Sequence, residues 1–137
     1  MMLGIRAAIT AVTMGAGVIA APGQTPAPAA SECNGSTTRE QDQCFAAQYK
    51  QADAALNQVY QQLMAKLDPD DETLLRAAEQ AWIAFRDKEC AFETSGTRNG
   101  TIHPIVVSIC LTEKTQAHLA ELQKQLNCPE GDTGCGH

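Results

Sequence analysis

Six cysteines limit the folds open to this chain more than any other feature. They are Cys33, Cys44, Cys90, Cys110, Cys128 and Cys135. All of them follow an N-terminal segment of the kind that directs export, and an even number of cysteines in an exported chain predicts disulfide bonds. A zinc site is the alternative, but no Cys-x-x-Cys pair occurs, and Cys128, Cys135 and His137 are too few ligands for a closed tetrahedral site. We therefore predict disulfides, with no metal ion and no cofactor.

The N-terminal segment has the pattern of a signal peptide. Arg6 is its one charged residue, and an uncharged run rich in Ala, Gly and Thr follows it. That run is shorter than the roughly 20 residues that span a bilayer, so we expect cleavage rather than anchoring. Removal before Ala21 is our first choice, with sites as far as Ala30 open. Residues 1–20 are accordingly predicted to be a signal peptide, and the Pro- and Ala-rich residues 21–32 a leader or linker.

The remaining chain is small and acidic. About 105 to 115 residues suit a single domain with one modest core. The formal net charge of −6 disfavours nucleic acid or anionic lipid as a partner and favours cationic proteins. We expect an exported protein of the periplasm or the extracellular medium, with no stable membrane insertion after signal removal and no binding to nucleic acid.

Apolar residues recur at spacings of three and four along three segments, which predicts three amphipathic helices. The first begins at a capping box, Thr37 to Glu40, and continues to Leu67. The second begins at Pro69, because proline and acidic residues suit a helix N-terminus, and it ends near Thr94. Residues 95–100 form a turn.

The third helix is predicted to extend from about Ile102 to Asn127. Its first residues are β-branched and could start as a strand, but the helical periodicity continues to the end of the segment. Three helices joined by short turns predict an all-α fold, an antiparallel three-helix bundle stapled by disulfides. This domain covers residues 33–127, and a Cys-containing tail covers residues 128–137.

Two pairings of the first four cysteines fit such a bundle. At 1.5 Å per residue, Cys44 and Cys90 lie at similar heights above the first turn, which favours a Cys44–Cys90 bond and leaves Cys33 for Cys110. The other scheme joins Cys33 to Cys44 and Cys90 to Cys110. We prefer the first scheme narrowly, and in both of them the tail closes through Cys128 and Cys135.

An acidic turn connects the first two helices, and its residues are Asp68, Asp70, Asp71 and Glu72. An EF-hand calcium loop is excluded because Thr73 stands where that loop requires glycine. We interpret the acidic turn as a helix cap and as a candidate contact for a partner.

Catalytic motifs are absent from the sequence. It contains no phosphate-binding glycine loop, no Gly-x-Ser-x-Gly elbow and no His-Glu-x-x-His pattern. We expect His103, at a helix start, and His118, on a helix face, to be capping or solvated residues. The chain is therefore predicted not to be an enzyme.

The stretch Gln80–Cys90 combines the only tryptophan with an arginine, acidic residues and a cysteine. We interpret Trp82 and Phe85 as core residues, and Arg86 and Asp87 as groups that bridge helices or form a polar binding surface.

With Cys33, Cys44, the segment 52–60 and Cys110-Leu111-Thr112, this stretch resembles the LprI-type lysozyme inhibitor family of bacterial envelope proteins. The resemblance covers roughly residues 33–125. It implies a small, helical, exported domain and, for the namesake, activity against host-type lysozyme. That namesake is lipid-anchored, whereas this chain has no lipidation box before Cys33. The matching domain-motif positions are Leu56, Asn57, Tyr60, Gln80, Trp82, Arg86 and Asp87.

The resemblance and the acidic charge together lead to a functional hypothesis. We expect an inhibitor that binds lysozyme or another cationic envelope or host protein, through the acidic turn or through the loop at residues 95–101. The alternative is a non-catalytic structural or adaptor module of the bacterial envelope.

Overall fold

The computed structural model describes residues 32–129 and 131–135, and within them it contains three long helices and no strand. Helix α1 spans Thr38–Met64, α2 spans Pro69–Glu93 and α3 spans His103–Leu126, with a short 3-10 turn at Ser95–Thr97. The predicted all-α, three-helix fold is confirmed. The signal peptide, nearly all of the predicted leader, and His137 lie outside the described residues.

Side-chain caps explain where the first two helices begin. At α1, the Thr37 hydroxyl accepts a hydrogen bond from the Glu40 amide at 3.2 Å, and the Glu40 carboxylate accepts one from the Thr37 amide at 3.0 Å, which is the predicted capping box. At α2, Asp68 Oδ1 accepts from the amides of Asp70 and Asp71 at 3.0 and 2.9 Å, and Pro69 is the first helical residue.

The apolar core lies mainly between α1 and α3. Its buried members are Leu56, Val59, Leu63 and Leu122, and partly buried residues of all three helices pack against them. The C-terminal ends of α1 and α3 lie together, since the Lys66 ammonium donates to the Leu126 carbonyl at 2.9 Å. None of the described helices is apolar and long enough to span a membrane.

Helix α2 follows α3 in the opposite direction. Cys90 near its end is bonded to Cys110 early in α3, whereas Glu79 lies against His118 further along α3. Lys114 of α3 adds two ion pairs to α2, to Glu93 at 3.0 Å and Glu89 at 3.3 Å. The hydrogen bond to Glu93 raises the pKa of Lys114.

The disulfides follow the second of the two pairing schemes. Cys33 is bonded to Cys44, Cys90 to Cys110 and Cys128 to Cys135. The preferred Cys44–Cys90 pairing is therefore wrong. Similar heights in the bundle do not imply facing side chains: Cys90 points toward α3, and the segment before α1 folds back so that Cys33 reaches Cys44. The tail bond is confirmed.

The interior face of α2 also differs from the prediction. Trp82 packs against the core as expected, but Phe85 is 58% exposed, so its assignment to the core is wrong. Helix α2 carries two stripes at helical spacing, and in the buried one the apolar residues Leu75 and Trp82 alternate with the polar residues Glu79 and Arg86. That stripe turns inward because α1 and α3 supply partners for its charged groups.

Candidate functional site

A buried arginine lies where the three helices meet. Arg86 of α2 is only 5% exposed, and its Nε and Nη2 both donate to Asp87 Oδ1, at 2.9 and 2.8 Å. Its Nη1 lies 3.7 Å from Asp53 Oδ1 on α1 and 3.4 Å from Thr115 Oγ1 on α3. A guanidinium that is buried away from water requires such partners. Arg86 therefore connects all three helices.

Two aromatic rings enclose the Arg86 guanidinium. Its central carbon lies 5.5 Å from the ring centre of Tyr49 on α1 and 5.1 Å from that of Trp82 on α2, within the range of cation–π attraction. Burial raises the pKa of the Tyr49 hydroxyl, and the neighbouring Arg86 charge opposes that increase. The rings and carboxylates thus hold the charge in a fixed position.

Asn57 holds one of these carboxylates in place. Its side-chain amide donates to the backbone carbonyl of Asp53 at 3.0 Å and to Asp53 Oδ2 at 3.1 Å, one helical turn away. The other carboxylate oxygen of Asp53 is the one near Arg86. Asn57, a domain-motif position, therefore supports the arginine through Asp53.

A second polar cluster lies next to Arg86, toward the N-terminus of α2. The rings of Trp82 and His118 stack with centroids 4.0 Å apart and planes inclined by 12°, and His118 Nε2 lies 2.7 Å from Glu79 Oε1. The side chains of His118 and Glu79 are only 18% and 11% exposed. The expectation of a capping or solvated His118 is therefore wrong. Glu79 and Trp82 lie on the same inward face of α2, where one makes a hydrogen bond to the imidazole and the other stacks on it.

A cleft of about 250 Å³ between α1 and α2 opens on one side of Arg86. Four of the domain-motif residues line it besides Arg86: Leu56, Asn57, Tyr60 and Gln80. Leu56 forms the apolar floor at 4% exposure, while Asn57 and Gln80 are exposed. The structure thus brings five of the seven motif positions to one groove, with Trp82 next to it against Arg86.

The seventh motif residue, Asp87, lies on the opposite side of Arg86, in a cleft of about 420 Å³. Arg98, His103 and Tyr49 also line this cleft. The Arg86 guanidinium is already paired there, so the free hydrogen-bonding capacity belongs to Arg98, whose side chain has no hydrogen-bond or ion-pair partner among the described residues. The cleft therefore presents the unpaired guanidinium of Arg98 together with the Asp87 carboxylate.

The loop at residues 95–101 is held in a compact turn. The Thr97 hydroxyl donates to the Thr94 carbonyl at 2.8 Å and lies 3.0 Å from His103 Nδ1. Gly100 donates its amide to the Thr97 carbonyl at 2.7 Å. His103 is the first residue of α3, as expected for a residue at a helix start, and these bonds limit how far the loop can extend from the bundle.

Asp70 of the acidic turn lies about 24 Å along α2 from Arg86, at 1.5 Å per residue. Asp68 and Asp70 are exposed, while Asp71 and Glu72 are half-buried. Glu72 makes a weak ion pair with Arg76 at 3.9 Å, and Arg76 lines the cleft between α1 and α2. The acidic turn is therefore distant from Arg86 but adjoins one end of that cleft.

The tail brings Cys128, Asp132 and Cys135 within ligand distance of one another. The two sulfur atoms are joined as a disulfide, so neither is a thiolate that could bind zinc or another soft metal. The three residues belong to a loop of the tail that the Cys128–Cys135 disulfide closes.

These features define a class: a small exported-type helical domain, stapled by disulfides and organised around a buried, paired arginine. The chain belongs to the Lysozyme inhibitor LprI family, which matches it over residues 29–122. An uncharacterized protein of Rhizobium meliloti (strain 1021) is 32% identical over 100 residues, which cover 64% of this chain and 72% of the relative. No solved structure matches the chain.

The family is one of inhibitor domains, and its members are exported proteins for which lysozyme is the implied partner. The disulfides of this chain fit the oxidising compartment that export implies.

Proposed function

We propose that this protein binds a cationic lysozyme in the periplasm or the extracellular medium and inhibits it. Membership of the lysozyme inhibitor family is the observation that carries the proposal. The net charge of −6 supports it, because an acidic surface accelerates the encounter with a strongly cationic enzyme.

Within the acidic turn, Asp70 and Asp71 are the best placed contacts. Asp68 is occupied as the N-cap of α2, and Glu72 lies near Arg76, whereas no cationic side chain among the described residues pairs with Asp70 or Asp71. A partner's lysine or arginine would meet these two carboxylates at a rigid helix terminus, which lowers the entropy cost of binding.

The proposal is tested by lysozyme-driven clearing of a cell-wall suspension, with the purified, oxidised protein added at low salt. The protein should slow the clearing, and added salt should weaken the effect. The variant Asp70→Lys should inhibit less, while Glu113→Lys, which makes the same change of charge at an exposed acidic residue of α3, serves as the matched control. Unchanged clearing at a large molar excess of the protein would end the proposal.

A second function, an envelope adaptor module, is favoured by one specific observation. Leu74, Phe85 and Phe92 of α2 are 68%, 58% and 78% exposed, although large apolar side chains are normally covered in a protein of this size. If clearing is unaffected, this face of α2 is the surface that an adaptor would use.

A further inference from the structure

One flank of α2 is apolar and uncovered along most of its length. We call it the α2 flank and define it by six exposed residues: Leu74, Ala78, Ala81, Ala84, Phe85 and Phe92. From Leu74 to Phe92 it extends about 27 Å at 1.5 Å per residue. Lys88 is the charged residue within it. The buried stripe of α2 lies beside this flank, so the core of the same chain leaves it open.

The sizes of these side chains change along the helix. The two phenylalanines lie in the C-terminal half, and the N-terminal half presents Leu74, Ala78 and Ala81. Two copies of α2 that cross antiparallel would place each aromatic half over the small residues of the other copy, so that large and small side chains interdigitate. A parallel crossing would instead stack Phe85 on Phe85 and Lys88 on Lys88.

Charge favours the same orientation. Lys88 has no acidic partner within salt-bridge distance among the described residues, so two Lys88 side chains brought together would repel each other. In the antiparallel register that places Phe92 over Leu74, Lys88 faces Ala78 of the other copy. The two Lys88 residues are then about 15 Å apart along the helices.

The available area is enough for a specific complex of modest strength. Aromatic side chains expose about 150–250 Å² each when uncovered, so the α2 flank offers on the order of 600 Å² per copy. A symmetric pair would bury on the order of 1,200 Å² in total, at the lower limit of specific protein interfaces. Such an interface implies an equilibrium between monomer and dimer that depends on concentration.

We infer that the α2 flank is the interface of a two-fold symmetric homodimer, in which two α2 helices cross antiparallel. The interface is isologous, since each copy contributes the same surface and the pair closes without further growth. Phe85 and Phe92 are its anchors. This inference stands apart from lysozyme binding, because it concerns the protein alone.

The test is sedimentation velocity of the exported, oxidised protein across a wide concentration range, without lysozyme. The sedimentation coefficient should rise with concentration from that of a monomer to that of a dimer. Phe85→Glu should weaken association about tenfold or more, as expected for an interface anchor. Ile83→Glu is the matched control, because Ile83 is also an exposed apolar residue of α2, at 44% exposure, but lines the cleft toward α1.

A cysteine cross-link tests the orientation. Leu74→Cys should give no disulfide between copies, because the antiparallel crossing places the two copies of residue 74 about 27 Å apart, whereas a parallel crossing would bring them together. The thermal unfolding of each variant by circular dichroism reports whether the monomer fold is intact. A protein that stays monomeric at every concentration overturns the inference, as does a dimer that Ile83→Glu disrupts and Phe85→Glu does not. If the protein is monomeric and Phe85→Glu removes lysozyme binding, the α2 flank belongs to the enzyme contact instead.

Discussion

The indole ring of Trp82 lies flat against the imidazole ring of His118, with centroids 4.0 Å apart, and Glu79 holds the same imidazole at 2.7 Å. This contact joins α2 to α3 through one stacked pair and one hydrogen bond. Its residues come from different helices and are nearly buried, so the cluster belongs to the interior of the bundle rather than to its surface.

The first prediction concerns the coupling of His118 with Glu79. His118→Phe keeps an aromatic ring on Trp82 but leaves the Glu79 carboxylate without its partner, so it should destabilise the fold by about 1–3 kcal/mol. Urea unfolding of His118→Phe, Glu79→Gln and the double variant gives the coupling free energy, which should exceed about 0.5 kcal/mol. Additive effects of the two single changes would show that the pair does not interact.

The second prediction concerns Arg86. Arg86→Ala removes a guanidinium that two aromatic rings, two carboxylates and the Thr115 hydroxyl contact, and it leaves a cavity at the junction of the helices. We expect a loss of about 2–4 kcal/mol in the free energy of unfolding. Arg86→Lys should recover only part of it, because an ammonium cannot reproduce the fork geometry. Equal stability of Arg86→Ala and the natural protein would contradict this role.

The third prediction compares two disulfides. Cys90 and Cys110 are 20 residues apart and join two helices, whereas Cys128 and Cys135 are 7 residues apart within the tail. Replacing Cys90 and Cys110 by alanine should cost about 3 kcal/mol, and replacing the tail pair should cost less, because a shorter loop restricts the unfolded chain less. Guanidinium unfolding monitored by circular dichroism measures both. A larger loss from the tail pair would refute the comparison.

The fourth prediction is a pH effect at the start of α1. The hydrogen bond from the Ser36 hydroxyl, at 2.9 Å, together with those from Thr37, lowers the pKa of Glu40 below its ordinary value of 4.5. A lowered pKa in the folded state means that the stabilisation is present above the ordinary pKa and is lost as the pH falls through the folded-state pKa.

A carbon-detected NMR titration of the Glu40 carboxyl measures this effect directly. Ser36→Ala should move the pKa of Glu40 upward toward its ordinary value, and Ser95→Ala, at an exposed serine in the turn after α2, is the control. A pKa of Glu40 that is the same with and without the Ser36 hydroxyl would contradict the hydrogen bond between Ser36 and Glu40.

Local signals in the sequence predicted the starts of the first two helices accurately. The capping box at Thr37 and the proline at position 69 each predicted a helix start that the structure reproduces within one residue, because these signals act on the few amides next to them. Contacts between helices were less predictable. Phe85 and Trp82 both fit a helical stripe, and only the position of Arg86 and Glu79 relative to α1 and α3 decides which stripe turns inward.

The same limit applies to the disulfides and to the candidate site. Helix length gave Cys44 and Cys90 the same height, but the rotation of each helix about its axis determines the partner, and periodicity alone does not fix that rotation. One signal in the sequence could have predicted the His118 cluster. Glu79 lies three residues before Trp82 on the core stripe of α2, and an acidic residue there requires a partner.

Direct binding to lysozyme tests the central claim most simply. Isothermal titration of the oxidised protein into a cationic lysozyme at low ionic strength should give a saturable binding curve that weakens as salt is added. Asp70→Lys should reduce the affinity, and Glu113→Lys, with the same change of charge, should reduce it less. The absence of binding heat at two temperatures, together with separate migration of the two proteins in gel filtration, would contradict the account.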